Sequence, residues 1–373
     1  MSSSWDDHFI LYYTSKALGL FPLINNRFFF GHIYTILMWI ILFYYTYDFN
    51  VNIYYDIFDV QHKHQIVLKI IYTQIWVQNI TAIMTIIRSA FQTSIFFDLL
   101  GKFDAFDKIY LKVHLAPNKR IQVFYVCYIV FFGTCHLIYL IKVLPISMVI
   151  IVRVIVCCLT ILSVVHYAVF VRTLRKRYEI ANAFFKKYLF NANINAEEIH
   201  PVGAEQLFKE LRNLTNHVKS YGAINALMFI VESTTIFVSC MSIITIHNIK
   251  KNIYMYLFYS IHSIGRLIFF IIFTREIHNT IEESKLTVRI AHEAHSKSIN
   301  PVKSKQFDAF ILNYWNNRIT FDVYDLFDID YKLVQSILTA VAAYAAIFIQ
   351  IQLTLENKER YSNNSTEKEL INR

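Results

Sequence analysis

Seven long apolar stretches alternate with polar connections along the chain, at roughly 28–47, 66–88, 121–144, 146–171, 223–247, 253–273 and 333–355. At about 1.5 Å rise per residue, each is long enough to cross a hydrocarbon core of about 30 Å as a helix. All five prolines, Pro22, Pro117, Pro145, Pro201 and Pro301, fall between these runs. Proline inside a helix removes a hydrogen bond and crowds the preceding turn, so this placement supports the division. The seventh run, Leu333 to Leu355, contains no charge but carries Ala340, Ala342, Ala343, Ala345, Ala346, Gln350 and Gln352. Small residues admit close helix approach, and an amide in hydrocarbon needs a partner or water. This run therefore predicts a helix that meets other helices or a water path.

The connections have a pattern of their own. Leu174, Tyr178, Ala181, Phe184 and Phe185 recur at helical spacing after run 4, and Ile281, Leu286, Ile290 and Ala294 do so after run 6. Such spacing predicts amphipathic helices, so runs 4, 5 and 6 are expected to continue beyond the membrane and pack there as a bundle. The expected fold is an all-α membrane protein of seven transmembrane helices, one domain over residues 1–373, with helical extensions forming an anchor. The polar end NKERYSNNSTEKELINR reads as a frayed tail, and no internal repeat is evident.

Charge sets the orientation. Lys and Arg number six in connection 2–3, nine in connection 4–5, eight in connection 6–7 and two before run 1. The opposite side has one in connection 1–2, two in connection 5–6 and four in the tail. The basic side is expected to be cytoplasmic, which places the N-terminus inside and the C-terminus outside. The net charge of +9 thus reports topology rather than nucleic-acid binding. The sequons at Asn363 and Asn364 would then face outward. With 55% hydrophobic residues, 17% charged and 16% aromatic, the composition is that of a polytopic membrane protein. The N-terminal segment is acidic early and lacks a compact apolar core, so no cleaved signal peptide is expected.

Candidate chemistry is sparse. No clustered phosphate-binding glycines, HExxH motif or nucleophile elbow occurs, so no enzyme, cofactor or metal is expected. Cys127, Cys135, Cys157, Cys158 and Cys240 all lie in apolar runs and read as buried small residues. His292 and His295 read as part of a solvated helical face. Among ionisable residues inside runs, Lys69 and Lys142 lie near outer ends and can snorkel, while Arg153, Glu232 and Arg266 lie deeper. Glu232 and Arg266 fall at similar depth on consecutive runs. Either they pair and fix run 5 against run 6, or they belong to a polar cavity wall. Thr235 and Ser239 share a face with Glu232, and Tyr259 and His262 share one with Arg266. Tyr72, Gln74 and Trp76 in run 2, with His136 and Tyr139 in run 3, add aromatic and polar groups. Together these residues are candidates for an outward-facing small-molecule pocket.

The stretch FDVYDLFDIDYKLVQSILTAVAAYAAIFIQIQ resembles the C-terminal signature of insect gustatory receptors, a Thr-Tyr pair, five hydrophobic residues and Gln-Phe. Here Ala343 stands for Thr, Tyr344 is kept, Ala345 to Ile349 are apolar, Gln350 is kept and Ile351 stands for Phe. The resemblance implies a tastant-gated, non-selective cation channel in the plasma membrane of sensory dendrites. It implies a tetramer, of one chain or mixed with other gustatory receptors, whose seventh helices line a pore. Tyr344, Ile347, Gln350 and Ile351 are the implied pore and gate residues. A bitter plant compound is the expected ligand, held between spans 2 to 6. Two alternatives are an odorant-receptor subunit needing a co-receptor and a metabotropic seven-span receptor.

Overall fold

The structure, a computed structural model, describes residues 36, 37, 40, 41, 43, 44, 65–111, 119–143, 148–190, 201–244, 253–297 and 301–371. Most of run 1 lies outside the described residues. Run 2 opens α1 (Gln65–Phe106), run 3 lies in α2 (Lys119–Val143) and run 4 opens α3 (Met148–Phe190). Run 5 closes α4 (Pro201–Ile244), and run 6 opens α5 (Ile253–Lys297). A shorter helix, α6 (Pro301–Asn316), precedes α7 (Tyr331–Ile371), which contains run 7. Pro201 and Pro301 each occupy the first helical position, where the missing N–H costs nothing and the fixed φ suits the helix.

Helix length separates two layers. The 43 residues of α3 extend for about 65 Å, twice a hydrocarbon core. α3, α4 and α5 are thus continuous from the apolar runs into polar sequence, as the periodicity predicts. Among the described residues, Cys158–Lys187, Glu205–Ile244 and Tyr331–Ile351 are long and apolar enough to cross a membrane.

α3 is the central helix. It packs against α1, α2, α4 and α5, and every residue from Leu159 to Ala168 is buried. A helix apolar on nearly all sides is stable only when surrounded. α1 packs chiefly on α4, α6 lies on α5, and α7 touches α4 and α5. In the amphipathic extensions Leu174, Tyr178, Ala181, Phe185, Ile290 and Ala294 are buried as expected. Phe184 and Leu286 are exposed instead, at 44% and 36%. Each flanks its buried stripe, where spacing alone does not decide the side.

Three features depart from the sequence reading. The C-terminal tail is helical to Ile371 rather than frayed, since Glu356, Lys358, Glu359 and Arg360 are good helix formers that prolong run 7. α1 continues well past Arg88, burying Phe96, Leu99, Leu100, Phe103 and Phe106, and ends in a wider π-turn at Asp107–Leu111. Finally, residues 320–329 form a tight loop closed by an antiparallel bridge between Asp322 and Asp328. Its backbone bonds run from Val323 N to Phe327 O (3.0 Å) and from Ile329 N to Phe321 O (2.8 Å). Phe321, Val323 and Ile329 are buried in the main core, so the loop is plugged into the bundle.

Candidate functional site

Glu232 on α4 and Arg266 on α5 come together. Arg266 Nη2 donates to Glu232 Oε1 at 2.7 Å and Nη1 to Oε2 at 3.4 Å, and both side chains are 0% exposed. The planar guanidinium matches the carboxylate as a fork, so two charges are satisfied in one contact. Thr160 of α3 accepts from Arg266 Nη2 at 3.5 Å, and the Phe229 ring lies 5.5 Å from the guanidinium carbon. The pair therefore ties α3, α4 and α5 together at one depth. Of the two sequence readings, pairing is the one the geometry supports directly.

The neighbouring candidates are buried as well. Ser239, Tyr259 and His262 lie inside the bundle, and Thr235 donates to the Glu232 carbonyl at 2.8 Å. The His262 ring meets Phe132 of α2 edge-on at 5.7 Å. Phe132 also lies over the backbone of α5. A methyl built on Gly265 would fall 1.7 Å from the Phe132 ring, so only glycine admits this contact. Tyr128 completes it by donating to the Gly265 carbonyl at 2.8 Å while its ring stacks on Phe269. Tyr128, Phe132 and Thr160 were missed by sequence reasoning. They lie on other runs, and nothing in their local pattern marks them.

On α1, Tyr72 is half-buried, Trp76 is 37% exposed, and their rings meet edge to face at 6.1 Å. Gln74 is buried and heads a stripe with Gln78, Thr81 and Thr85, all buried. The spacing i, i+4, i+7, i+11 puts these polar groups on one helix face. Thr81 and Thr85 donate to carbonyls of their own helix, at 2.9 Å to Gln78 and 2.7 Å to Thr81. Below them Arg88 donates to the Tyr221 carbonyl at 2.9 Å, pinning α1 to α4. That stripe was readable as polar positions recurring inside an apolar run. His136, Tyr139 and Arg153 stand on α2 and α3, but their side chains lie outside the described residues.

α7 differs from the other long helices. Val334, Val341 and Ala345 are its buried positions before Ile347 and form one stripe. Tyr344, Ile347, Gln350 and Ile351 are exposed and occupy about a third of the circumference away from that stripe. Thus the uncharged part of this helix turns apolar side chains and one amide away from its own chain. Of the described cysteines, Cys158 and Cys240 are buried, whereas Cys127 is exposed and Cys135 half-buried. The last two correct the expectation of uniform burial, because α2 leaves one side uncovered at Val123, Phe124, Val130 and Phe131.

A family model described as 7tm chemosensory receptor matches residues 8–355. The chain belongs to that family. The receptor is therefore a chemosensory membrane protein and not an enzyme. Among curated proteins, none matches it. Solved structures share its fold, among them two of one insect receptor. The insect olfactory receptor OR5 from Machilis hrabei aligns with a TM-score of 0.66 at 9% identity, over 93% of this chain and 97% of that one. The same receptor in complex with eugenol aligns with a TM-score of 0.62 at 10% identity, over 93% and 100%. At such identity the likeness speaks for the all-helical architecture, and the family match carries the assignment.

Proposed function

We propose that this receptor is a gustatory receptor of the insect type, a tastant-gated, non-selective cation channel in the plasma membrane of sensory dendrites. It has seven spans, a cytoplasmic N-terminus and an extracellular C-terminus, and assembles as a tetramer of one chain or with other gustatory receptors. The observation that carries this reading is α7, whose uncharged stretch 333–355 leaves Tyr344, Ile347, Gln350 and Ile351 uncovered by its own chain. Such a helix needs further copies to cover it. A ring of Gln350 amides offers neutral dipoles to a partly hydrated cation, and a ring of Ile351 side chains gates by dewetting.

The ligand enters from the outside into a pocket among helices α1 to α5, where Tyr72, Trp76, His136, Tyr139, Arg153, Ser239, Tyr259 and His262 supply aromatic and polar groups. Glu232 and Arg266 hold that wall in register. A bitter plant compound is the ligand class. Ligand opens the pore by binding the open arrangement more tightly than the closed one.

Expression in oocytes with a panel of plant compounds and sugars is expected to give inward current with at least one compound. Surface-expressed receptor silent to the whole panel overturns the reading. Replacing Gln350 by Ala is expected to change relative cation permeability and gating, and an unaltered channel removes α7 from the pore. A second reading, an odorant-receptor subunit, is favoured by the olfactory receptors that share the fold. It requires a co-receptor, so current that appears only on co-expression with one selects it.

A further inference from the structure

The foot of α7 is where the chain grips this helix. Asp330 caps it, accepting from the Leu333 amide through Oδ1 at 2.9 Å, and the Tyr331 ring meets His278 of α5 at 5.3 Å. Immediately before Asp330 lies the plugged loop 320–329. Its turn holds two successive non-glycine residues in the left-handed region, Tyr324 at φ 51° and Asp325 at φ 57°. Neither has the conformational freedom of glycine, so the surroundings must hold this geometry. Asp322 does so from within. Its Oδ1 accepts from the Asp325 amide at 3.0 Å, and its Oδ2 accepts from Thr320 at 3.1 Å and from the Lys219 ammonium of α4. Burial alone would raise the Asp322 carboxyl, but the hydrogen bonds from Lys219, the Asp325 amide and Thr320 outweigh it and hold the group below its ordinary value.

Lys219 sits where α4 is already fixed to its neighbours. One residue on, Arg88 of α1 reaches the Ser220 and Tyr221 carbonyls. At Gly222 an added methyl would fall 2.1 Å from the buried ring of Tyr167 on α3. The same short stretch of α4 thus contacts α1, α3 and the loop leading into α7.

We propose that Lys219 and Asp322 are positioning residues, a latch through which α4 sets the foot of α7. With the pore assignment of α7, on which this last step rests, any shift of α4 against its neighbours reaches the pore helix through this contact. The carboxylate has two separable duties. Asn at 322 keeps an oxygen for the Asp325 amide but loses the charge facing Lys219. Removing the charge from either side should therefore have the same consequence.

The test is hydrogen exchange on the full receptor in lipid nanodiscs, with no ligand added and no current needed. Lys219→Met and Asp322→Asn are each expected to speed exchange at residues 331–341 roughly tenfold, with the core of α3 at 160–170 unchanged. The double variant is expected to match either single, and Lys219→Arg to stay at the wild-type rate. Unchanged exchange at 331–341 in both singles overturns the latch, as does a double whose effect is the sum of the two. Faster exchange in α3 as well overturns it too, since that marks general loosening. Because the readout is independent of conduction, a channel that fails the ligand panel and a latch that fails this test are told apart.

Discussion

Replacing Arg266 by Met is expected to destabilise the receptor by about 3–5 kcal/mol and to remove most of it from the cell surface. The loss is large because Glu232 has no exposure and would keep its carboxylate in a low-dielectric layer without the fork that neutralises it. Glu232→Leu takes the carboxylate from the guanidinium in the same way, although the contacts to Thr160 and the Phe229 face remain. The double variant Glu232→Leu with Arg266→Met removes both charges and fills similar volume. It is expected to recover most of the lost stability, since an apolar replacement of a buried pair is often neutral. Fluorescence-detected size-exclusion after heating, alongside surface labelling, measures each variant. A double variant as poor as the singles would mean that the pair does more than cancel itself. If the double folds and reaches the surface but no longer responds to a compound that opens wild type, the charges also serve the ligand wall.

This pair was legible in the sequence because ionisable residues inside apolar runs are few, and because depth along consecutive helices follows from counting residues. Runs 2 to 7 were legible for the same kind of reason, as length and hydropathy are local properties. What escaped was non-local or masked by composition. The extension of α1 carries a clear stripe, Phe96, Leu99, Leu100, Phe103 and Phe106, but it begins after Arg88, where the apolar run stops and Asp98, Lys102 and Asp104 interleave with it. The latch loop gives no warning, since its left-handed positions are Tyr324 and Asp325 rather than glycine. Lys219 and Asp322 lie 103 residues apart and each reads as an ordinary surface charge. Of the candidate pocket, the buried polar face was readable from spacing. The aromatic partners Tyr128 and Phe132 were not, because the aromatic residues are too many for any one to stand out.

The second large effect is expected at Arg177, outside the apolar runs. Its side chain and that of Asp107 are 2% and 1% exposed and form an ion pair between the end of α1 and the middle of α3. The guanidinium carbon lies 4.4 Å from the Phe103 ring centroid, and Nη1 donates to the Thr173 carbonyl at 2.9 Å. Burial pushes the guanidinium down from its ordinary value while the Asp107 charge opposes the shift, so the cation is held by its partner. Asp107 opens the π-turn that ends α1, and the same turn returns Leu111 to the core. Arg177→Met is therefore expected to cost about 3–5 kcal/mol, because the Asp107 carboxylate is left buried and the α1 extension loses its charged tie to α3. Arg177→Lys keeps the charge but loses the planar stack on Phe103 and the second donor to Thr173, so about half that loss is expected. Asp107→Leu combined with Arg177→Met is expected to return close to wild-type stability, again read by thermal size-exclusion. Limited proteolysis then separates local from global failure. New cleavage between residues 96 and 118 in Arg177→Met, with α3 to α5 intact, is the expected pattern. Uniform cleavage of all helices would instead show that this contact holds the whole bundle and not just the extension of α1.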